Sequence, residues 1–145
     1  VAWVAKAKAY LGNNGIPVQE EENMFAVVTD SVLAYLMQTT EFASADYVDV
    51  KPYAGPARRV LRWMGVNWLT SPLITGVGTS TELCYMFHRN AIGYAVNVGE
   101  DKVSIGYDEK QDTSWSRATG YHGAKKLQNT GIVQLKHDGS AFGLS

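Results

Sequence analysis

Residues 114–127 read Ser-Trp-Ser-Arg-Ala-Thr-Gly-Tyr-His-Gly-Ala-Lys-Lys-Leu. In an extended strand, successive side chains point to opposite sides. One side of this stretch is therefore bulky, with Trp115, Arg117 and Tyr121, and the other side is nearly bare. Small residues in a strand allow another backbone to approach closely. We predict a long strand that docks a helix on five residues, called here the small-residue strip: Ser116, Ala118, Gly120, His122 and Ala124.

The turn Asn129-Thr130-Gly131 follows this stretch. It predicts that the chain returns through residues 132–136 and pairs with the long strand in a terminal β-hairpin. The sequence contains no obvious long helix that could occupy the strip. It also begins with Val1, inside what reads as a helix already under way. We therefore expect a fragment whose docking helix belongs to another part of a longer polypeptide.

The first 40 residues predict a helix–strand–helix unit. An amphipathic helix is expected over residues 1–12, with Trp3, Ala7, Tyr10 and Leu11 on its apolar stripe. A valine-rich strand is expected over residues 24–29, and Thr29 or Asp30 can cap a second helix that runs through residue 38. The apolar stripe of this second helix comprises Val32, Leu33, Leu36 and Met37.

The middle of the chain alternates between strands and irregular loops. Period-two alternation predicts one long strand over residues 58–70, with Gly65 as a bulge or bend, and further strands over 82–88 and 102–107. Turn-forming residues dominate 39–56 and 71–81, which are interpreted as ordered loops. The whole pattern predicts an α+β fold.

Composition excludes several classes of protein. The chain has 145 residues, the size of one domain, with 13 basic and 14 acidic side chains. Such a balance does not fit an autonomous nucleic-acid binder. No apolar run approaches the roughly 20 residues of a membrane helix. The single cysteine, Cys84, lies in an apolar run and is interpreted as a buried small hydrophobe.

Motifs for catalysis or metal binding are weak. His88, His122 and His137 lack the close spacing of metal ligands, and one cysteine cannot complete a zinc site. Asp46 and Asp49 form a possible carboxylate pair, so a small hydrolase remains an alternative if they share a pocket with a histidine. Another acidic group is Asp108, Glu109 and Asp112, for which solvated loop positions are the preferred interpretation.

One basic cluster has tryptophans nearby. Its three arginines could bind nucleic acid weakly, in a salt-sensitive manner, which leaves an accessory nucleic-acid-binding module as a third hypothesis. A contact between subunits is the preferred interpretation. The candidate subunit contacts are Arg58, Arg59, Arg62, Asp46 and Asp49.

The order of these features resembles the major capsid proteins of tailed bacteriophages and prophages, specifically the C-terminal half of the Hong Kong-97 type coat fold. The landmarks are a helix over residues 1–11, a turn at Gly15-Ile16-Pro17, a strand over 25–30, a capped helix over 31–38, a loop over 41–47, a strand containing glycine over 60–69, a strand running into Ala91-Ile92-Gly93 over 85–95, and a long strand with a terminal hairpin strand over 114–138.

The resemblance implies a structural protein without an active site or a cofactor. Residues 1–108 would be the axial domain, and residues 109–145 would be strands of the peripheral domain. The N-terminal arm, the extended loop and the spine helix would lie outside this sequence. The implied partners are other copies of the coat protein, in hexamers and pentamers, and a scaffolding protein, with packaged DNA bound at most non-specifically and no membrane. The implied location is the virion capsid, assembled in the host cytoplasm.

Overall fold

The computed structural model describes residues 2–40 and 60–142. Contacts divide the chain into two compact units. The larger unit comprises Val1–Ala91 and Gln128–Ser145, and the second unit, called here the ribbon, comprises Ile92–Leu127. Among the residues described, no helix has the length and hydrophobicity needed to cross a membrane.

Two helices and nine strands form the regular structure of the described residues, which confirms the α+β prediction. The helices are α1 (Ala2–Asn13) and α2 (Asp30–Met37). The strands are β1 (Met24–Val28), β2 (Val60–Trp63), β3 (Val66–Thr70), β4 (Glu82–His88), β5 (Ile92–Val96), β6 (Lys102–Asp108), β7 (Thr113–Thr119), β8 (His122–Lys126) and β9 (Ile132–His137).

The helix–strand–helix unit forms as the sequence predicts. Strand β1 connects directly to α2, whose N-cap is Thr29. The Thr29 hydroxyl accepts the backbone N–H of Val32 at 3.4 Å, which satisfies one of the donors left unpaired at a helix start. Strand β1 buries every second side chain, beginning with Met24.

The helical stripes differ from their predictions in two places. Helix α1 buries Val4, Ala7 and Leu11, whereas Tyr10 is 58% exposed. On α2 the last residue of the predicted stripe, Met37, is 42% exposed. Met37 is the last residue of α2, beyond the buried part of that helix. Tyr10 precedes the fully buried Leu11, so the core reaches this turn of α1, and Tyr10 is exposed because it lies to the side of the buried stripe.

The larger unit contains a five-stranded sheet in the order β2-β3-β1-β4-β9. Strands β1 and β3 are parallel, and the other neighbours are antiparallel. Its core includes α1, α2 and the buried sides of the strands, with Met24, Trp68 and Met86 among the largest buried side chains. The buried Trp68 indole also donates to the carbonyl of Trp63 at 3.1 Å.

The single strand predicted over residues 58–70 is wrong. The described part is a hairpin, in which β2 and β3 pair antiparallel around Met64 and Gly65. Both turn residues have positive φ, 51° and 65°. Two successive residues in this region form the tight turn that matches the twist of paired strands. Gly65 therefore reverses the chain instead of bending it.

The predicted terminal hairpin is also wrong in its pairing. Strand β9 pairs with β4 at the edge of the five-stranded sheet, with Leu135 opposite the buried Cys84. The long strand predicted over 114–127 is two strands, β7 and β8, interrupted at residues 120 and 121, and their partners lie in the chain that precedes them. Strand β7 pairs with β6, and β8 pairs with β5. This pairing closes a short loop at residues 109–112, so it costs little loop entropy.

Burial in the core predicts the cost of shortening a leucine. Leu11 is fully buried and Leu73 is 90% exposed. We expect Leu11→Ala to lower the free energy of unfolding by about 2–5 kcal/mol, because it leaves a cavity. Leu73→Ala, the same chemical change, should change it by less than about 0.5 kcal/mol. Chemical denaturation monitored by tryptophan fluorescence measures both values, and equal losses would contradict the burial described here.

Candidate docking and assembly surfaces

The ribbon has one face on which apolar side chains lie beside small ones. In the pair formed by β6 and β7, Val103 lies opposite Ala118 and Ile105 lies opposite Ser116. Directly paired residues point to the same side of a sheet. Val103 and Ile105 are 76% and 80% exposed. The small-residue strip therefore borders a row of uncovered apolar side chains, which the sequence analysis did not identify.

The pair formed by β5 and β8 also places exposed apolar side chains beside residues of the strip. Tyr94 lies opposite Ala124, and Val96 lies opposite His122. The rings of Tyr94 and His122 stack, with centroids 6.5 Å apart and planes 18° from parallel. All four side chains are exposed. His122 therefore contributes an aromatic surface to the strip, beside the small side chain of Ala124.

Gly120 lies at an interruption between the two pairs of strands. Strand β7 ends at Thr119 and β8 begins at His122. Asn97, which directly follows β5, donates its N–H to the carbonyl of Tyr121 at 3.0 Å. The strip thus consists of two segments, Ser116 with Ala118 and His122 with Ala124, and Gly120 connects them. Its role in docking a helix stays a prediction.

The opposite face of the pair formed by β6 and β7 is polar and carries one tryptophan. Trp115 lies opposite Gly106, and Arg117 lies opposite Ser104. The indole lies across Gly106 so closely that a Cβ there would have no room. Trp115 is thereby held in place while about half of its surface stays exposed. The two faces of the ribbon differ in polarity and in shape.

A buried carboxylate in the larger unit was missed by the sequence analysis. Glu82 is fully buried at the start of β4. Its Oε2 accepts the Thr29 hydroxyl at 2.6 Å and lies 2.9 Å from Nδ1 of His137. Its Oε1 accepts the backbone N–H of Gly78 at 2.8 Å. The signal was available, because Glu82 shares the buried parity of its strand with Cys84.

Hydrogen bonds keep Glu82 ionised. Burial raises the pKa of this carboxyl, but hydrogen bonds from Thr29, Gly78, His137 and Ser31 outweigh it and hold the pKa below the ordinary value. A buried charge is tolerated only when donors surround it. The carboxylate therefore connects the start of α2, the loop before β4 and the end of β9.

The loop at residues 71–81 is braced and carries an exposed apolar side chain. The hydroxyl of Thr79 donates to the carbonyl of Gly76 at 2.7 Å, and the N–H of Leu83 donates to the carbonyl of Thr75 at 3.1 Å. Leu73, near the start of the loop, is 90% exposed.

Most of the predicted subunit contacts fall outside the described residues. These are Asp46, Asp49, Arg58 and Arg59. Arg62 is exposed on β2, and its Nε donates to Oδ1 of Asn67 at 3.3 Å.

The acidic group near the ribbon turn stabilises that turn. Asp108 accepts the backbone N–H of Lys110 at 3.0 Å, and Asp112 accepts the hydroxyl of Tyr107. Glu109 is exposed. These carboxylates therefore make local hydrogen bonds, as loop residues do.

The single cysteine and one of the histidines are buried. Cys84 is buried as predicted, and burial raises the pKa of its thiol. His88 is buried, with Nε2 3.4 Å from a carboxylate oxygen of Glu20. Within residues 2–40 and 60–142, no group of three or more histidine, cysteine or acidic side chains is arranged to hold a metal ion.

A protein-family model described as "Phage capsid protein" matches residues 1–139. The chain belongs to this phage capsid family. The match covers both units, and it confirms the resemblance drawn from the order of helices, turns and strands. No match was found among curated proteins.

A solved structure from Mycobacterium phage Che8 has a similar fold. The two superpose with a TM-score of 0.63 at 20% sequence identity, over 90% of this chain. At this identity the likeness establishes the fold alone. The chain spans 46% of the length of the Che8 protein.

The ionised Glu82 predicts an acid-sensitive contribution to stability. Because its native pKa lies below the ordinary value of 4.5, its contribution is present above pH 4.5 and is lost as the pH falls through the native pKa. Glu82→Gln should lower the free energy of unfolding by about 1–3 kcal/mol near neutral pH and by less in acid. Thermal unfolding measured against pH tests this. The exposed Glu109→Gln is the control, and parallel curves for all three proteins would contradict it.

Proposed function

We propose that this protein is a structural subunit of a phage or prophage icosahedral capsid and that it acts by packing edge to edge with other copies. Family membership supports the proposal. In it, the subunit performs no catalysis and needs no cofactor, and its location is the virion capsid, assembled in the host cytoplasm. Neither the hydrolase nor the nucleic-acid-binding hypothesis gains a supporting observation from the described residues.

The uncovered face of the ribbon carries this proposal. A two-stranded ribbon is marginally stable in water unless a further layer packs on it. Here Val103 and Ile105 are exposed beside Ser116 and Ala118. Covering these two apolar side chains would remove their surface from water. The small residues let a helix approach the backbone of the strand closely.

We propose a long α-helix of a coat subunit as the occupant of this face. A helix pairs its own interior backbone groups, so its apolar side can cover a sheet without leaving those groups unpaired. The resemblance to phage coat proteins implies such a spine helix. The two-faced pattern of the ribbon supports docking of this helix on the strip, Ser116, Ala118, Gly120, His122 and Ala124.

The domain division is part of the proposal. We propose an axial domain over residues 1–108 and peripheral strands over 109–145, with β9 of the second range pairing as an edge strand of the five-stranded sheet formed by the first. The ribbon includes strands from both sides of residue 108, because β5 and β6 pair with β8 and β7. Residue 108 lies at the end of β6, beside the ribbon turn. The division therefore separates β5 and β6, which precede the turn of the ribbon, from β7 and β8, which follow it.

Loops of the larger unit are the proposed contacts between subunits. The loop 71–81 exposes Leu73 and, less fully, Val77. The loop 39–56 and the basic cluster around Arg62 complete the proposed contact regions, together with Arg58, Arg59, Asp46 and Asp49. Hexamers and pentamers of the coat protein would form through these contacts. A scaffolding protein and non-specifically bound DNA are further proposed partners.

One substitution on each face of the ribbon tests the docking proposal. Ser116 and Ser104 are both exposed, and they lie on opposite faces of the same pair of strands. We expect Ser116→Leu to reduce capsid yield about tenfold or more, because overpacking against a helix costs about 1–3 kcal/mol. Ser104→Leu should leave the yield within about twofold, since surface changes are usually small.

The measurement is the yield of shells from the full natural coding sequence. Sedimentation separates shells from smaller species, and electron microscopy identifies them. Equal yields from the two variants would mean that the small-residue face is not docked. If the unsubstituted protein forms neither shells nor capsomers, the proposed function itself is contradicted.

A further inference from the structure

We infer that residues 138–142, called here the strap, close over the ionised carboxylate of Glu82 and open as a unit, without the rest of β9, when that carboxylate is neutralised. The inference concerns a motion within one subunit, so it goes beyond the proposed function and is tested without shells. Glu82 is fully buried. The strap follows directly on β9, whose last residue, His137, pairs with Glu82 in the sheet.

The backbone of the strap lies on the carboxylate itself. Gly139 is buried, and it is so close to Glu82 that a Cβ at Gly139 would collide with the carboxylate oxygens. The N–H of Gly139 donates to the carbonyl of Thr79 at 2.9 Å, and Gly78 donates its own N–H to Oε1 of Glu82 at 2.8 Å. The strap is therefore bonded to the same loop segment that the carboxylate holds.

The far end of the strap rests on α2 through aromatic rings. The ring of Phe142 meets the ring of Tyr35 edge-on, with centroids 5.1 Å apart. Tyr35 meets the ring of His137 in the same way, also at 5.1 Å. Nδ1 of His137 lies 2.9 Å from Oε2 of Glu82. A continuous row of contacts thus runs from the carboxylate through His137 and Tyr35 to the end of the strap.

The strap can open without the strand that precedes it. Strand β9 is held by its ladder with β4, in which Leu135 lies opposite the buried Cys84. This ladder ends at His137, before the strap begins. All residues of the strap except Gly139 are exposed. A segment with so few buried contacts opens at a lower free-energy cost than the core does.

Neutralising Glu82 weakens the contacts around the strap. An ionised carboxylate only accepts hydrogen bonds, so it can pair with the N–H of Gly78, the hydroxyl of Thr29 and the ring N–H of His137 together. Bonds to a charged acceptor are roughly twice as strong as bonds between neutral groups. A neutral carboxyl therefore holds the loop and His137 less firmly. The strap contacts both and has few other contacts, so it is the part that should open.

Acid should open the strap. Burial raises the pKa of the Glu82 carboxyl, but the hydrogen bonds that it accepts outweigh burial and hold the pKa below the ordinary value of 4.5. A group whose native pKa is lowered stabilises the closed form above its ordinary pKa. That contribution is lost as the pH falls through the native pKa. The strap should therefore be closed near neutral pH and open below pH 4.5.

Other titratable groups lie near the carboxylate. The loop 71–81 contributes none. The groups on the remaining elements are Tyr35 on α2, Cys84 on β4, His137 on β9 and Asp138 in the strap. The hydroxyl and N–H of Ser140 hold the pKa of Asp138 below its ordinary value as well. Asp138 therefore titrates in the same direction as Glu82, and the experiment needs a variant that separates the two.

The experiment measures amide hydrogen exchange in protein expressed from the full natural coding sequence, between neutral pH and about pH 3. The proteins compared are the unsubstituted chain, Glu82→Gln and Asp138→Asn. An asparagine at 138 keeps an oxygen that accepts from Ser140 but does not titrate. Protection factors, corrected for intrinsic exchange, are determined for the Gly139 and Phe142 amides and for the amides of β4 and β9.

In the unsubstituted protein, we expect protection of the two strap amides to fall about tenfold or more in acid, the effect of losing a bond to a charged group. The β4 and β9 amides should stay protected. Glu82→Gln should show weak strap protection at every pH, and Asp138→Asn should follow the unsubstituted protein. The inference is overturned if strap protection does not change with pH, if it falls only together with β4 and β9, or if Asp138→Asn abolishes the change.

A pair of glycine variants tests the closure directly and covers the case in which Glu82→Gln does not fold. The methyl group of Gly139→Ala would collide with the carboxylate, whereas Gly123→Ala places a methyl group in open space. We expect Gly139→Ala to reduce protection of the Phe142 amide about tenfold or more at neutral pH while β4 stays protected. Gly123→Ala should leave this protection unchanged. Equal strap protection in the two variants would contradict a strap that closes on Glu82.

Discussion

A two-stranded ribbon has no interior, and the account of the ribbon's function depends on this constraint. In the paired strands of Ile92–Leu127 each side chain lies on one face or the other, and in the described residues no third strand pairs with either two-stranded sheet. The apolar residues Val103 and Ile105 are therefore exposed by the geometry of their own strands. Only a further layer can bury them. The small side chains opposite them make room for that layer.

The larger unit, unlike the ribbon, covers its apolar side chains with its own helices and sheet. Its sheet and helices bury a continuous apolar core, and the buried carboxylate of Glu82 lies at the edge of that core where a helix, a loop and two strands meet. Hydrophobic packing gives the unit its stability, and hydrogen bonds of Glu82 connect the loop before β4 to α2 and to β9. In this account, the ribbon face serves packing within the coat subunit and the braced loop serves packing between subunits.

Alternation and capping were enough to predict most of the individual elements. The helix–strand–helix unit and the cap at Thr29 follow from local patterns that the structure keeps, and the stretch 114–127 is extended in two strands where one was predicted. Strand partners did not follow. The signal at residues 129–131 is a short 3₁₀ turn that leads into β9, and β9 then pairs with a strand some fifty residues earlier. Such pairing is set by burial in a shared core, which a local turn signal does not encode.

The candidate sites show the same limit. The small side of β7 is visible in the sequence, but its apolar neighbours belong to β6 and appear only with the register. Glu82 shares the buried parity of β4, yet its burial becomes tolerable only through donors at positions 29, 78 and 137, which are distant in sequence. Local chemistry can predict such a residue's element, while its role depends on contacts made by the folded chain.

The most direct test of the central claim is an electron cryo-microscopy map of particles formed from the full natural coding sequence. The account predicts a closed shell in which continuous helical density lies against the ribbon face formed by Val103, Ile105, Ser116 and Ala118. A shell in which that face borders solvent, or is covered by something other than a helix, would contradict the docking claim. A protein that remains monomeric under all assembly conditions would contradict the structural role as a whole.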